Sequence, residues 1–344
     1  GDGFAAGEGA TYDVTGSQLD IGFSDNTFTY TLNVGTLADN YTITKTEGTL
    51  TVTPVLTEIV ITADSNTKVY DGSPLTDNGY TFTPGVLATG DELTAVVEGT
   101  ITNVGTADNK VTSYQVMRGT TDVTSNYTFG TSIDGTLEVT KRPVTLTSAT
   151  DSKVYDGTAL TNSLVTVGGD GFAAGEGATY DVTGSQTLVG SSANAFTYAL
   201  NTDTNPDNYD ITKVEGTLTV NPIKDKVTVT ITEHSGTFTY DGTEHTVTGY
   251  DVTSISNPLY TASDFTFSGT ASVSGTDAGS YPMLLVPGDF TNTSANFSNV
   301  EFVIVDGTLS ITKRPVTLTS ESDSKVYDGT ALTNGTVNET GDGW

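Results

Sequence analysis

The pentapeptide Lys-Val-Tyr-Asp-Gly stands at 68–72, 153–157 and 325–329, with Phe-Thr-Tyr-Asp-Gly at 238–242. Its tyrosines, Tyr70, Tyr155, Tyr240 and Tyr327, are 85, 85 and 87 residues apart. Two other markers keep that period. Gly-Thr-Leu begins at Gly48, Gly135, Gly216 and Gly307; Asn-Tyr precedes it at 40–41, 126–127 and 208–209, with Asn299-Val300 in the fourth copy. A fixed period of this length means an array of supersecondary units. The units are read as 1–53 (C-terminal part of a repeat), 54–142, 143–222, 223–314 (divergent) and 315–344 (N-terminal part). Residues 1–18 are identical to 169–186, 140–148 recur as 312–320, and 151–162 match 323–334. The first, third and fifth copies are thus one type, separated by two unlike ones, and the array is expected to continue beyond both ends.

Within a copy the signal is β. In the third, Val144 and Leu146 alternate with polar residues, as do Phe196, Tyr198 and Leu200, and then Leu218 and Val220. Gly, Asn and Asp separate these runs, and no window beyond about two turns has helical periodicity. The reading is all-β: tandem Ig-like β-sandwich domains of about 85 residues forming an elongated rod. Small β-grasp-like domains are the alternative, but they need a helix. Each junction passes through one proline (Pro54, Pro143, Pro222, Pro315), which ends a ladder without a floppy linker. Six of the 13 basic residues cluster there, Lys141, Arg142, Lys224, Lys226, Lys313 and Arg314, and are expected to meet carboxylates of the neighbouring repeat.

The net charge of −29 argues against nucleic acid or anionic membrane as a partner. No apolar run is long enough to span a bilayer, and no cysteine is present for a disulfide or thiolate site. No catalytic residue is nominated. His234 and His245, the only histidines, have no acid or oxyanion motif beside them, so an enzyme is not expected. No cofactor is expected, calcium apart: Asp151, Asp156, Asp323 and Asp328 recur beside the junctions and are the candidate ligands, because hard cations take carboxylate oxygens. Lys68 with Asn126, and Lys153 with Asn208, have the chain positions for an intramolecular isopeptide bond. Tyr30, Tyr114, Tyr198 and Tyr281 recur at nearly one period and read as half-buried core in preference to a sugar platform.

Tyr-Asp-Gly-Thr at 155–158 and 327–330 resembles the YDG repeats of bacterial filamentous adhesins. The ending Asn-Tyr-x-Ile-Thr through Gly-Thr-Leu-Thr-Val, at 40–52 and 208–220, is similar to that of MBG repeats, a family associated with mucus-binding surface proteins. Together these patterns touch every copy; the fourth departs from them by lacking the Lys and the Asn-Tyr. The resemblance implies an extracellular, bacterial cell-surface location and a structural stalk or fibre segment of an adhesin. Its partners are then the neighbouring repeats of the same chain. Two other functions fit the pattern: direct binding of mucin or host glycans, and self-assembly of copies into an extracellular filament, head to tail or through free strand edges.

Overall fold

A computed structural model describes residues 1–341. The end of the third Gly-Asp-Gly copy, Asp342 and Gly343, and the following Trp344 lie outside the described residues. The chain is all-β; its helical elements among the described residues are three-residue 3-10 turns. Two compact bodies divide it and are described separately. The first holds Gly1–Leu146, Val167–Thr179 and Tyr198–Lys213; the second holds Thr147–Thr166, Tyr180–Thr197 and the described residues from Val214 onward.

The first body contains the whole second repeat. Its opening strand is broken into pieces that serve different sheets. Val55–Ile59 lies parallel to Tyr127–Phe129, and Ile61–Ala63 pairs antiparallel with Tyr80–Phe82. Asn66–Val69 runs parallel to the last strand, Gly135–Thr140. The long strand Gly105–Arg118 also changes partner, from Gly135–Thr140 to Asp91–Glu98, with a register shift between Val111 and Ser113. Alternation sets the faces: Leu137 and Val139 are buried with polar residues between them, and Ile59, Ile61, Leu93, Val116, Val123 and Tyr127 close a second cluster. The first repeat contributes Ala10–Val14 paired with Phe28–Leu32 and Gly22–Asn26 paired with Gly48–Val52, both antiparallel.

The fourth repeat, in the second body, repeats the plan. Val227–Glu233 lies between Tyr250–Ile255 (antiparallel) and Val300–Val305 (parallel). Thr308–Thr312 lies between Gly236–Thr239 (parallel) and Gly279–Pro282 (antiparallel). Val227, Val229 and Ile231 alternate with half-buried threonines and join Tyr260, Phe265, Phe290, Phe297, Phe302 and others in one core. The part of the third repeat in this body has the same triplet: Gly216–Asn221 between Asp151–Val154 (parallel) and Gly190–Asn194 (antiparallel). The fifth copy contributes the antiparallel pair Val316–Ser320 and Val337–Gly341.

The glycine of Gly-Thr-Leu is where the last strand meets the opening one. A Cβ on Gly135 would lie 2.1 Å from the Asp64 carbonyl oxygen, and on Gly216 2.3 Å from that of Ala149. On Gly307 it would lie 2.3 Å from the His234 carbonyl. A buried polar group supports each approach. Asn109 donates from Nδ2 to the carbonyls of Asp64 and Asp77, both 2.9 Å. Asn194 does the same to Ala149 (3.0 Å) and Asn162 (2.9 Å). The fourth repeat uses Glu233, buried at a core position, whose carboxylate accepts the amides of Leu285 (2.6 Å) and Gly307 (2.7 Å).

Candidate functional site: the joint between successive repeats

The Tyr-Asp-Gly segment is a locked turn. Asp71 accepts, at Oδ1, the Ser73 amide (2.8 Å), the Ser73 hydroxyl (2.7 Å) and the Lys68 ammonium (2.7 Å). Asp156 takes the Thr158 amide and hydroxyl and Lys153 Nζ in the same way, at 2.9, 2.7 and 2.7 Å. The neighbouring ammonium holds both carboxyls well below the usual carboxylate range. The following glycine is left-handed, φ 83° at Gly72 and 80° at Gly157, which is why Gly follows Asp. In the fourth repeat Phe238 stands in the lysine's place. There His245 stacks on Phe238, centroids 4.3 Å apart, and its Nε2 lies 3.1 Å from Asp241. One of the two histidines is thereby accounted for as a replacement clamp.

The turn carries its tyrosine to the repeat that follows. Tyr70, 5% exposed, donates its hydroxyl to Glu176 Oε1 at 2.5 Å and meets the Tyr209 ring edge-on at 5.6 Å. The carboxylate beside it raises the Tyr70 phenol above its ordinary range. Tyr209, from the Asn-Tyr marker, accepts the Ala173 amide (3.0 Å) and donates to Glu176 Oε2 (2.8 Å); burial pushes it up to about 12. Tyr41 is held alike by the Ala5 amide and Glu8. In the second repeat Tyr127 accepts the Ala88 amide and donates to Asp91, which Arg118 grips through Nε and Nη2 at 2.6 and 2.9 Å. At the next joint, in the second body, Tyr155 packs edge-on against Phe297 (5.9 Å), itself edge-on to Tyr260 (5.0 Å). Tyr155 touches the cores of both the third and the fourth repeat.

The asparagine of Asn-Tyr reaches back to the preceding repeat. Asn126 accepts the Ile21 amide at 3.1 Å and donates to Asp20 at 2.9 Å. Asn208 accepts the Val104 amide and donates to Asn103, both at 3.0 Å. In the fourth repeat Asn296 accepts the Val189 amide at 3.0 Å. This corrects the sequence assignment of Asn299-Val300 to that role: the counterpart is Asn296-Phe297, while Asn299 reaches the Lys224 carbonyl of its own repeat.

Several expectations meet a different geometry. Of the isopeptide candidates, Lys68 is hydrogen-bonded to Asp71 and Ser73, and Asn126 to Asp20 and Ile21. Lys153 Nζ is taken by Asp156 and Thr158, and Asn208 by Asn103 and Val104. Of the calcium candidates, Asp151 accepts the Asn162 amide nitrogen and Asp323 the Ser324 amide, while Asp156 and Asp328 face lysines. Among the described residues no group of three or more His, Asp or Glu side chains is placed to hold a metal. Arg142 meets carbonyl groups. It donates to the carbonyls of Tyr70, Gly171 and Asp170, bridging the second repeat to the Gly-rich loop of the third, and Lys226 pairs with Glu301 inside its own repeat. Tyr30, Tyr114 and Tyr198 stand half-exposed on their strands.

Sequence reasoning missed the carboxylates Glu8, Asp91 and Glu176. A signal existed: Glu8 and Glu176 are the only Glu in the duplicated 1–18 and 169–186 segment. No protein-family model matches the chain, and no curated protein matches it.

Proposed function

We propose that the chain is a structural stalk segment of a bacterial cell-surface adhesin of the MBG and YDG type, built of tandem Ig-like domains and working by reach and stiffness. One observation carries this reading: Tyr70 and Tyr155 of the Tyr-Asp-Gly turn, with Asn126 and Asn208 of the Asn-Tyr marker, each reach a neighbouring repeat. The Tyr-Asp-Gly turn supplies a tyrosine, and the Asn-Tyr marker supplies its receiving ring and an amide clamp. Joints fastened by buried rings and charge-assisted hydrogen bonds resist bending better than a flexible linker would. The reading assigns no catalysis and no cofactor.

Negative-stain electron microscopy of the purified chain tests it. Straight particles with a beaded period near one repeat are the expected image, and they should bend or fold back in a Tyr70→Ala/Asn208→Ala variant. Particles whose repeats take uncorrelated directions in the unaltered chain would overturn it. Lateral bundles that grow with concentration would favour the filament reading, for which exposed edge strands such as Val300–Val305 are the motivation.

A further inference from the structure

The first and third repeats are identical over 1–18 and 169–186, then part company at the loop that meets the next repeat. Leu19-Asp20-Ile21 stands in one where Thr187-Leu188-Val189 stands in the other, and both run into the same glycine, Gly22 and Gly190. The backbone use is unchanged: the amides of Ile21 and Val189 each go to an asparagine of the following repeat. The side chains differ: Leu188 is exposed, whereas Asp20 is engaged by the following repeat. Asp20 takes Arg118 Nη1 at 3.2 Å and Asn126 Nδ2 at 2.9 Å, and Asp91 holds the other edge of that guanidinium in place. Leu188 precedes a repeat that has no Lys or Arg from Val227 to Thr312. At the intervening joint, Asn103 meets the amide of Asn208.

The tyrosine sockets vary in the same sense. Tyr70 enters a socket with a carboxylate acceptor, Glu176, beside Tyr209. Tyr155 enters one of Phe297 backed by Tyr260, with Leu259 Cδ2 close to the turn glycine, Gly157.

We propose that these junction residues form an adjacency code: each repeat carries the side chains complementary to the repeat that follows it and unfavourable to the others. The proposal rests on the stalk reading and goes beyond it, because a stalk needs joints but not order. An exposed ion pair adds little as glue. Its effect is on choice: an aspartate at 188 would meet no counterpart of Arg118, because the fourth repeat carries its basic residues only at its ends, Lys224, Lys226, Lys313 and Arg314, and a leucine at 20 would leave the preorganised Arg118 without its second partner.

Amide hydrogen exchange of the full 344-residue chain tests the code, since exchange rates follow local opening. Asp20→Leu should speed exchange at Ile21 by about two- to fivefold, the range expected for a partly exposed ion pair. Leu188→Asp should speed Val189 at least as much. Arg118→Met added to Asp20→Leu should change Ile21 no further, since the two side chains act as one pair. The Gly216 amide, inside the third repeat, should stay as in the parent chain and so reports that the repeat is folded. If Leu188→Asp leaves Val189 unchanged, or if Asp20 and Arg118 act additively, the code is wrong while the stalk stands. If Ile21, Val104 and Val189 exchange at unprotected rates in the parent chain, the joints themselves fail and the stalk reading with them.

Discussion

At the scale of single residues, each member of the Lys-Val-Tyr-Asp-Gly motif has a separate task. The lysine neutralises the aspartate, the aspartate folds the turn, the glycine takes a conformation that residues with side chains rarely adopt, and the tyrosine leaves the repeat. Tyr70→Phe removes one hydrogen bond to a carboxylate in a buried setting and should lower stability by about 1–2 kcal/mol. Tyr155→Phe, whose ring sits on Phe297, should cost less than half as much; chemical denaturation of both variants checks the contrast. Equal losses would mean that the hydroxyl of Tyr70 contributes nothing of its own. Gly135→Ala is a different kind of change. Its methyl would press on the Asp64 carbonyl, which also receives Asn109, so strand and amide must move together. A loss of about 3 kcal/mol or more is expected, readable as a fallen denaturation midpoint.

At the scale of elements, the fourth repeat shows how a divergent sequence keeps the same layout. Where other repeats support the Gly-Thr-Leu glycine with a buried Asn from the strand opposite, it uses Glu233 from its opening strand, and in place of the lysine clamp it uses Phe238 and His245. His234 closes the Val227–Glu233 and Tyr250–Ile255 pair, with Nδ1 2.8 Å from the Thr248 carbonyl and Nε2 3.3 Å from Asp251. The carbonyl first and the carboxylate second raise its pKa above the ordinary histidine value. A group with a raised folded pKa contributes stability that is fully present below its unfolded value, near 6.5, and is lost as pH rises through the folded value. Melting of the fourth repeat should therefore fall between about pH 6 and pH 8. His234→Asn should flatten that dependence, and a slope that survives the substitution would place its origin elsewhere.

At the scale of the molecule, the question is whether anything outside the polypeptide holds the repeats. Asp156 and Asp328 already face Lys153 and Lys325, and Asp151 is taken by Asn162. Adding calcium or a chelator should leave the thermal unfolding curve unchanged. A rise in melting temperature with calcium would show a site that these contacts do not form. Interactions between distant parts of one chain are fixed only when both repeats are folded, so the joints should lose protection together with the repeats they connect and not before.

Period, β class and the Tyr-Asp-Gly turn were legible in the sequence, because alternation of apolar and polar residues and the punctuation by Gly, Asp and Pro act over a few residues. Motif recurrence located the joint residues as well, since Tyr70, Tyr155, Asn126 and Asn208 all lie in the recurring segments. What those residues touch was decided by the tertiary structure. Tyr70 and Glu176 are 106 residues apart, and no local rule links a turn in one repeat to a carboxylate in the Gly-rich loop of the next. The same limit applies to Lys68 and Asp156: the sequence made them candidates for distant partners or a cation, and in the structure each is hydrogen-bonded within its own turn. Short-range order follows from the chain itself, whereas a contact between repeats exists only once two folded surfaces are brought together.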